Sequence, residues 1–301
     1  MPGAAAQRIL TQAACGRNLV QEKPENYATP PAPGRRRVFL AFVALALGAV
    51  AASGHAANFS LVVQTTRAST QASFAPLAAY LSRAVGEPIH VEVRRNSLAH
   101  WRALAAGERP ALVLEDPHFA DYRISRAGYR IAASLKGTQS FRIAVGGFLL
   151  LDPVDLAGRP VATLSPPALS TMQFLRFYAD PVRIPRLVEA ATYRDAAAQV
   201  FDARAVAAVL PATSLPNYPE LSDAVALEEL PEQALLVSPD VDETLFEGIV
   251  SALLSADAGS EDGRRVLEAM GVAGFSRSHA EAYEGISRLL KGTWGYREAA
   301  P

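Results

Sequence analysis

Cysteine is all but missing. The 301 residues hold one, Cys15, and from residue 57 onward there is none, which excludes disulfides and thiolate metal sites there. Cys15 precedes the long apolar stretch and does not follow it, so it does not fit a lipid anchor. His90, His100, His118 and His279 are scattered, with no metal-ligand spacing between any two. The patterns G-x-S-x-G, H-E-x-x-H, G-x-x-x-x-G-K-[ST] and G-x-G-x-x-G are all absent. No internal repeat is present. Neither sign of charge dominates: the formal net charge is −1, which gives no reason to expect a nucleic-acid partner. No cofactor or metal is expected, and an enzyme is not the expected class.

What is present begins with an export signature. Arg35-Arg36-Arg37 is a basic segment, and Val38 to Ala52 is a run of fifteen residues free of charge and proline. Gly54 and Ala56 then supply the small residues of a cleavage site. A transmembrane anchor is the alternative, but a span needs about 20 apolar residues. The expected reading is a signal peptide at 35–56, by the general or the twin-arginine route, behind a leader or misassigned start at 1–34. Six of the 29 basic and two of the 30 acidic residues fall before residue 57, leaving 23 against 28, a mild negative balance suited to a soluble exported domain.

Beyond residue 57 the periodicity alternates. Phe59–Val63 reads as a buried strand, and Phe74, Leu77, Ala78, Leu81 and Val85 recur at helical spacing up to Gly86. Ile89–Val93 is a second strand, Ser97 opens a helix around Trp101 and Leu104, and Ala111–Leu114 is a third strand. Pro117 can begin the next helix and Gly128 end it. Strands are expected at 129–135, 141–151, 161–164, 205–210 and 234–237, with helices near 170–179 and 194–201. Three C-terminal helices follow, the last capped by Ser278 and Glu281 before Tyr283. Two β-α series mean an α/β chain with mainly parallel sheets flanked by helices.

In such sheets ligands bind beyond the carboxyl ends of the strands. Three strand-to-helix loops qualify. The first holds Thr66, Ser69 and Thr70; the second Asp116 and His118, with Tyr122 after it; the third Ser165, Ser170 and Thr171. Hydroxyls at a helix start can hold an oxyanion beside unpaired N–H groups, or can simply cap the helix. Asp116 and His118 could be an acid–base pair, or a helix-terminal acid beside a surface histidine. Trp101 and Phe74 fit core faces, whereas Tyr122, Tyr178 and Tyr193 could wall a ligand cleft or be half-buried only.

Four stretches in order resemble one family: Ser73–Val93, Leu98–Arg123, Asp155–Thr171 (DLAGRPVATLSPPALST) and Leu253–Tyr283. The chain is similar to the phosphate/phosphite/phosphonate-type solute-binding proteins of ABC importers, with the type II periplasmic binding fold. The resemblance implies two lobes, 57–145 with 238–301 and 146–237 between, joined by crossing segments near 140–150 and 233–240. It also implies a small-molecule ligand held between the lobes, an inner-membrane ABC permease as partner, a periplasmic location and a monomer. Ser170 and Thr171 match the family's oxyanion loop, Thr66 and Ser69 match the loop after its first strand, and Asp116 matches loosely. Two departures stand out: Ser170-Thr171-Met172-Gln173 replaces the usual Ser-Thr-Ser-Gly, and Tyr193 stands at the usual histidine. The solute is thus open between a phosphonate-type oxyanion and another small molecule. A sensing role beside a kinase, and less readily an enzyme on this fold, are the competing expectations.

Overall fold

The computed structural model describes residues 59–66, 69–147, 152–178, 180, 182–256 and 259–298. The expected leader and signal peptide lie outside them. The elements run β1 (Phe59–Gln64), α1 (Gln71–Val85), β2 (Ile89–Arg94), α2 (Ser97–Ala105), β3 (Leu112–Glu115), α3 (Pro117–Ala127), β4 (Arg130–Leu135), β5 (Thr138–Gln139), β6 (Phe141–Gly146), β7 (Pro160–Leu164), α4 (Leu169–Phe177), β8 (Arg186–Ala190), α5 (Tyr193–Phe201), β9 (Ala207–Pro211), β10 (Leu221–Ala226), β11 (Leu230–Pro231), β12 (Ala234–Val237), α6 (Glu243–Ser255), α7 (Glu261–Met270) and β13 (Phe275–Ser276).

They build two lobes. The first holds a six-stranded sheet in the order β13-β4-β12-β3-β1-β2, the second a five-stranded sheet, β10-β6-β9-β7-β8. In the first, β1 lies parallel between β2 and β3, while β12 is antiparallel to both β3 and β4. β1 is covered on both faces. Leu61 and Val63 join Phe74, Leu77 and Leu81 of α1 and Ile249 and Leu253 of α6, and Val62 faces Ala120, Leu236 and Tyr283. That two-sided cover is why the strand is apolar at successive positions and does not alternate. In the second lobe one face packs Ile143, Val161 and Val209 on Leu169 and Phe174. The other face is mostly alanine, and α5 lies close upon it through Ala196, Ala197 and Val200.

Two strands cross between the lobes: β5 and β11 pair antiparallel, Leu230 opposite Gln139 and Pro231 opposite Thr138. They lie earlier in the chain than the expected crossings near 140–150 and 233–240. The lobe borders move accordingly. β6, expected in the first lobe up to residue 145, pairs with β9 and β10 in the second sheet. β12, expected in the second lobe, joins the first sheet. The apolar run from Phe141 to Leu151 concealed the first border, because it reads as one strand although β6 ends at Gly146.

The last expected helix is replaced by two 3-10 turns, Ala280–Ala282 and Ile286–Leu290. Gly285 between them takes φ +79°, which a continuous α-helix does not allow. His279, not Ser278, stands at the start of the first turn. The segment is pinned by side chains instead. Tyr283 is fully buried and donates to the Glu232 carbonyl at 2.9 Å, and the Ser287 amide donates to Asp121 Oδ2 at 2.7 Å. Leu289 enters the second lobe's core, whereas Leu290 joins Trp101 and Phe119 in the first.

Candidate functional site

A cleft of about 480 Å³ opens where the lobes and crossing strands meet. Thr66 and Gly271 line it from the first lobe, Thr138, Gln139, Ser140 and Glu232 from the crossing region, and Phe141, Tyr193, Pro211, Thr213 and Ser214 from the second lobe. The loop after β1 reaches it because β1 ends inside the sheet and must exit at its carboxyl edge. Thr213 and Ser214 arrive by the same route, on the 3-10 turn that follows β9. The lining is therefore rich in hydroxyls, which can donate to an oxyanion and accept from its acidic proton. Glu232 adds one carboxylate.

Tyr193 is the link to the expected oxyanion loop. Its hydroxyl donates to Ser170 Oγ at 3.3 Å, and its ring lies 6.1 Å from that of Phe141. Ser170 is fully buried in the first turn of α4, where backbone N–H groups lack helical partners. Thr171, the next residue, faces inward: its hydroxyl donates to the Leu164 carbonyl at 2.5 Å and lies 3.0 Å from Thr163 Oγ1. Ser165 is exposed and donates to Glu189 at 2.6 Å. Thr70 stands at the start of α1, and its amide donates to Ser73 Oγ at 3.2 Å, a capping arrangement. Ser69 is half-buried beside it.

The second loop is used internally. Asp116 is 4 % exposed, and its Oδ1 accepts from the side-chain amides of Gln233, at 3.0 Å, and Gln139, at 3.2 Å. His118 is not at the surface. It is fully buried, and its Nε2 lies 2.9 Å from the Pro167 carbonyl of the second lobe. Burial pushes the imidazole below its ordinary range, with the Asp116 charge opposing. A neutral ring donating to that carbonyl satisfies both observations. Tyr122 does not line this cleft: it packs edge-on against Trp101, at 5.0 Å between ring centres, and beside Tyr296. Tyr178 donates to the Pro153 carbonyl at 2.8 Å, and burial pushes its phenol up to about 12.

Of the residues singled out from the sequence, Thr66 and Tyr193 line the cleft, and Ser170 meets it through Tyr193. Asp116 meets it through Gln139. Thr70, Tyr122, Ser165 and Thr171 are engaged elsewhere. Sequence reasoning missed Thr138, Ser140, Thr213, Ser214 and Glu232. The strand-end rule applied to the run ending at Pro211 would have found Thr213 and Ser214. The others sit on crossing segments, whose partners are remote in sequence.

The fold agrees with solved structures. The chain superposes on the XAC2383 protein of Xanthomonas citri solved with ATP at TM-score 0.63 and 16 % identity, covering 77 % of this chain and 98 % of that one. It superposes equally, at 0.63 and 14 % identity, on PhnD1 of Prochlorococcus marinus solved with methylphosphonate, covering 77 % and 97 %. The phosphonate-transporter binding component PA3383 of Pseudomonas aeruginosa gives 0.61 at 12 % identity, covering 77 % and 84 %. At these identities the likeness shows the two-lobed α/β fold. No protein of curated function matches the chain by sequence. The family profile described as "ABC transporter, phosphonate, periplasmic substrate-binding protein" matches residues 59–283. That family binds small molecules in the periplasm and works with ABC permease components. The chain belongs to the periplasmic substrate-binding proteins of phosphonate ABC transporters.

Proposed function

We propose that the protein captures a small phosphonate-type oxyanion in this cleft and presents it, as an exported monomer, to an inner-membrane permease, without chemical turnover. The observation that carries this is the convergence of hydroxyls on one cavity: Thr66, Thr138, Ser140, Tyr193, Thr213 and Ser214 come from both lobes and the crossing region. Ser170, behind Tyr193, brings the start of α4 to the same place. Glu232 refines the ligand. A carboxylate accepts hydrogen bonds, so it favours a ligand that carries a donor, such as the P–OH of a phosphonate monoanion, over a sulfonate, which has none near neutral pH. Binding without turnover fits the second loop, where Asp116 holds two amides and His118 is enclosed against Pro167.

Calorimetric titration of the purified protein with methylphosphonate, phosphate, phosphite and methanesulfonate tests the reading. Saturation by at least one phosphorus oxyanion, with methanesulfonate weaker, is expected. At a hundredfold excess over Kd the ligand adds about 2.7 kcal/mol of stability, which thermal melting checks. Absence of heat and of any melting shift across the panel refutes an oxyanion ligand.

A further inference from the structure

Asp116 stands at the N-terminus of α3, with the extended backbone of a capping residue, yet its carboxylate makes no capping bond to that helix. It is turned the other way. Gln139 ends the crossing strand β5, and Gln233 lies between the crossing strand β11 and β12. Both send their amide nitrogens to the same oxygen, Oδ1. Gln233 Nε2 also donates to the Gln64 carbonyl at 2.9 Å, and the Asp116 amide donates to Gln64 Oε1 at 3.0 Å. One carboxylate oxygen thus fastens both crossing strands to the ends of β1 and β3.

We propose that Asp116 is a positioning residue for the hinge. It holds β5 and β11 in the orientation that brings Gln139 and Glu232 to the cleft, and it acts on affinity without touching the ligand. Two amides gathered on one acceptor oxygen suit a joint carried by two-residue strands. Because both amides reach one oxygen, asparagine can keep the geometry, whereas alanine releases both strands.

Amide hydrogen exchange on the ligand-free protein tests this independently of the ligand reading above. In Asp116→Ala, peptides covering 136–141 and 229–235 are expected to exchange at least tenfold faster than in the native protein, with α1, α5 and α6 unchanged. Asp116→Asn is expected to stay within threefold. Stopped-flow binding of methylphosphonate is the second measurement, on which the proposal does rest on that reading: Asp116→Ala raises the dissociation rate, and Asp116→Asn remains close to native. Unchanged exchange at both crossing strands in Asp116→Ala overturns the proposal, as does uniform acceleration over the whole chain, which marks a general structural role. Loss of methylphosphonate binding in Asp116→Asn with native exchange also overturns it, because the charge would then act on the ligand. If Asp116→Ala does not fold, Gln233→Met removes one of the two ties, and local acceleration at 229–235 is the expected result; native exchange there refutes the clamp.

Discussion

Glu115 closes β3 with its side chain wholly buried, sharing its oxygens between Arg123, at 2.9 and 3.3 Å, and His100 Nε2, at 2.7 Å. Burial pushes the carboxyl up, but the Arg123 charge and the His100 bond outweigh it and hold the group at about 2, against an ordinary 4.5. A folded pKa below the unfolded one gives stability that is complete above 4.5 and is lost as pH falls toward 2. Arg123→Met keeps much of the volume and leaves the carboxylate with His100 alone. Breaking a buried pair in this way costs about 3–5 kcal/mol. For a folded region of this size that lowers the melting midpoint by about 6–20 °C at pH 7. Burial then dominates, the carboxyl rises above its ordinary value, and the variant loses stability with rising pH above 4.5, where the native contribution of Glu115 is already complete and level. Circular-dichroism melts at pH 5, 6 and 7 check the sign: the deficit of Arg123→Met narrows toward pH 5. Adding Glu115→Gln removes the stranded charge and restores at least half of the loss. A deficit independent of pH, or a double variant no better than the single one, refutes the reasoning.

Four further outcomes are expected. His118, pushed down by burial and faced by Asp116, Glu115, His100 and the Pro167 carbonyl, binds its proton more readily in the unfolded chain. It therefore costs stability only below about pH 6.5, and His118→Gln flattens the stability curve between pH 7 and 5, read by urea denaturation. Thr171→Val loses the bond to the Leu164 carbonyl and costs about 1–3 kcal/mol with little change in methylphosphonate affinity, whereas Tyr193→Phe, which strips a hydroxyl from the cleft wall, weakens binding in the same titration. A Cβ on Gly146 would stand 2.5 Å from Val200 Cγ1, so Gly146→Ala lowers stability by about 1–3 kcal/mol, and adding Val200→Ala recovers most of it in chemical denaturation.

The first lobe was legible because its signals are local. Helical spacing, Pro117 at a helix start and Gly86 and Gly128 in the left-handed region each act within a few residues. β8 was missed: its half-exposed residues present neither an apolar run nor a clean alternation. The site was harder, because a hydroxyl beside a helix start has one appearance whether it caps or binds. The Ser73 hydroxyl caps the Thr70 amide, Ser165 meets Glu189, and Ser170 meets Tyr193. Only tertiary placement separates them. Asp116 gave no local sign that Gln139 and Gln233, 23 and 117 positions away, would meet on its oxygen.

Leu289 and Leu290 are neighbours in the chain but are seated in opposite halves of the molecule. Any widening of the mouth must stretch the short turn that carries them or unseat one of the two. The carboxyl end is therefore a tie between the halves, anchored through adjacent side chains of one 3-10 turn.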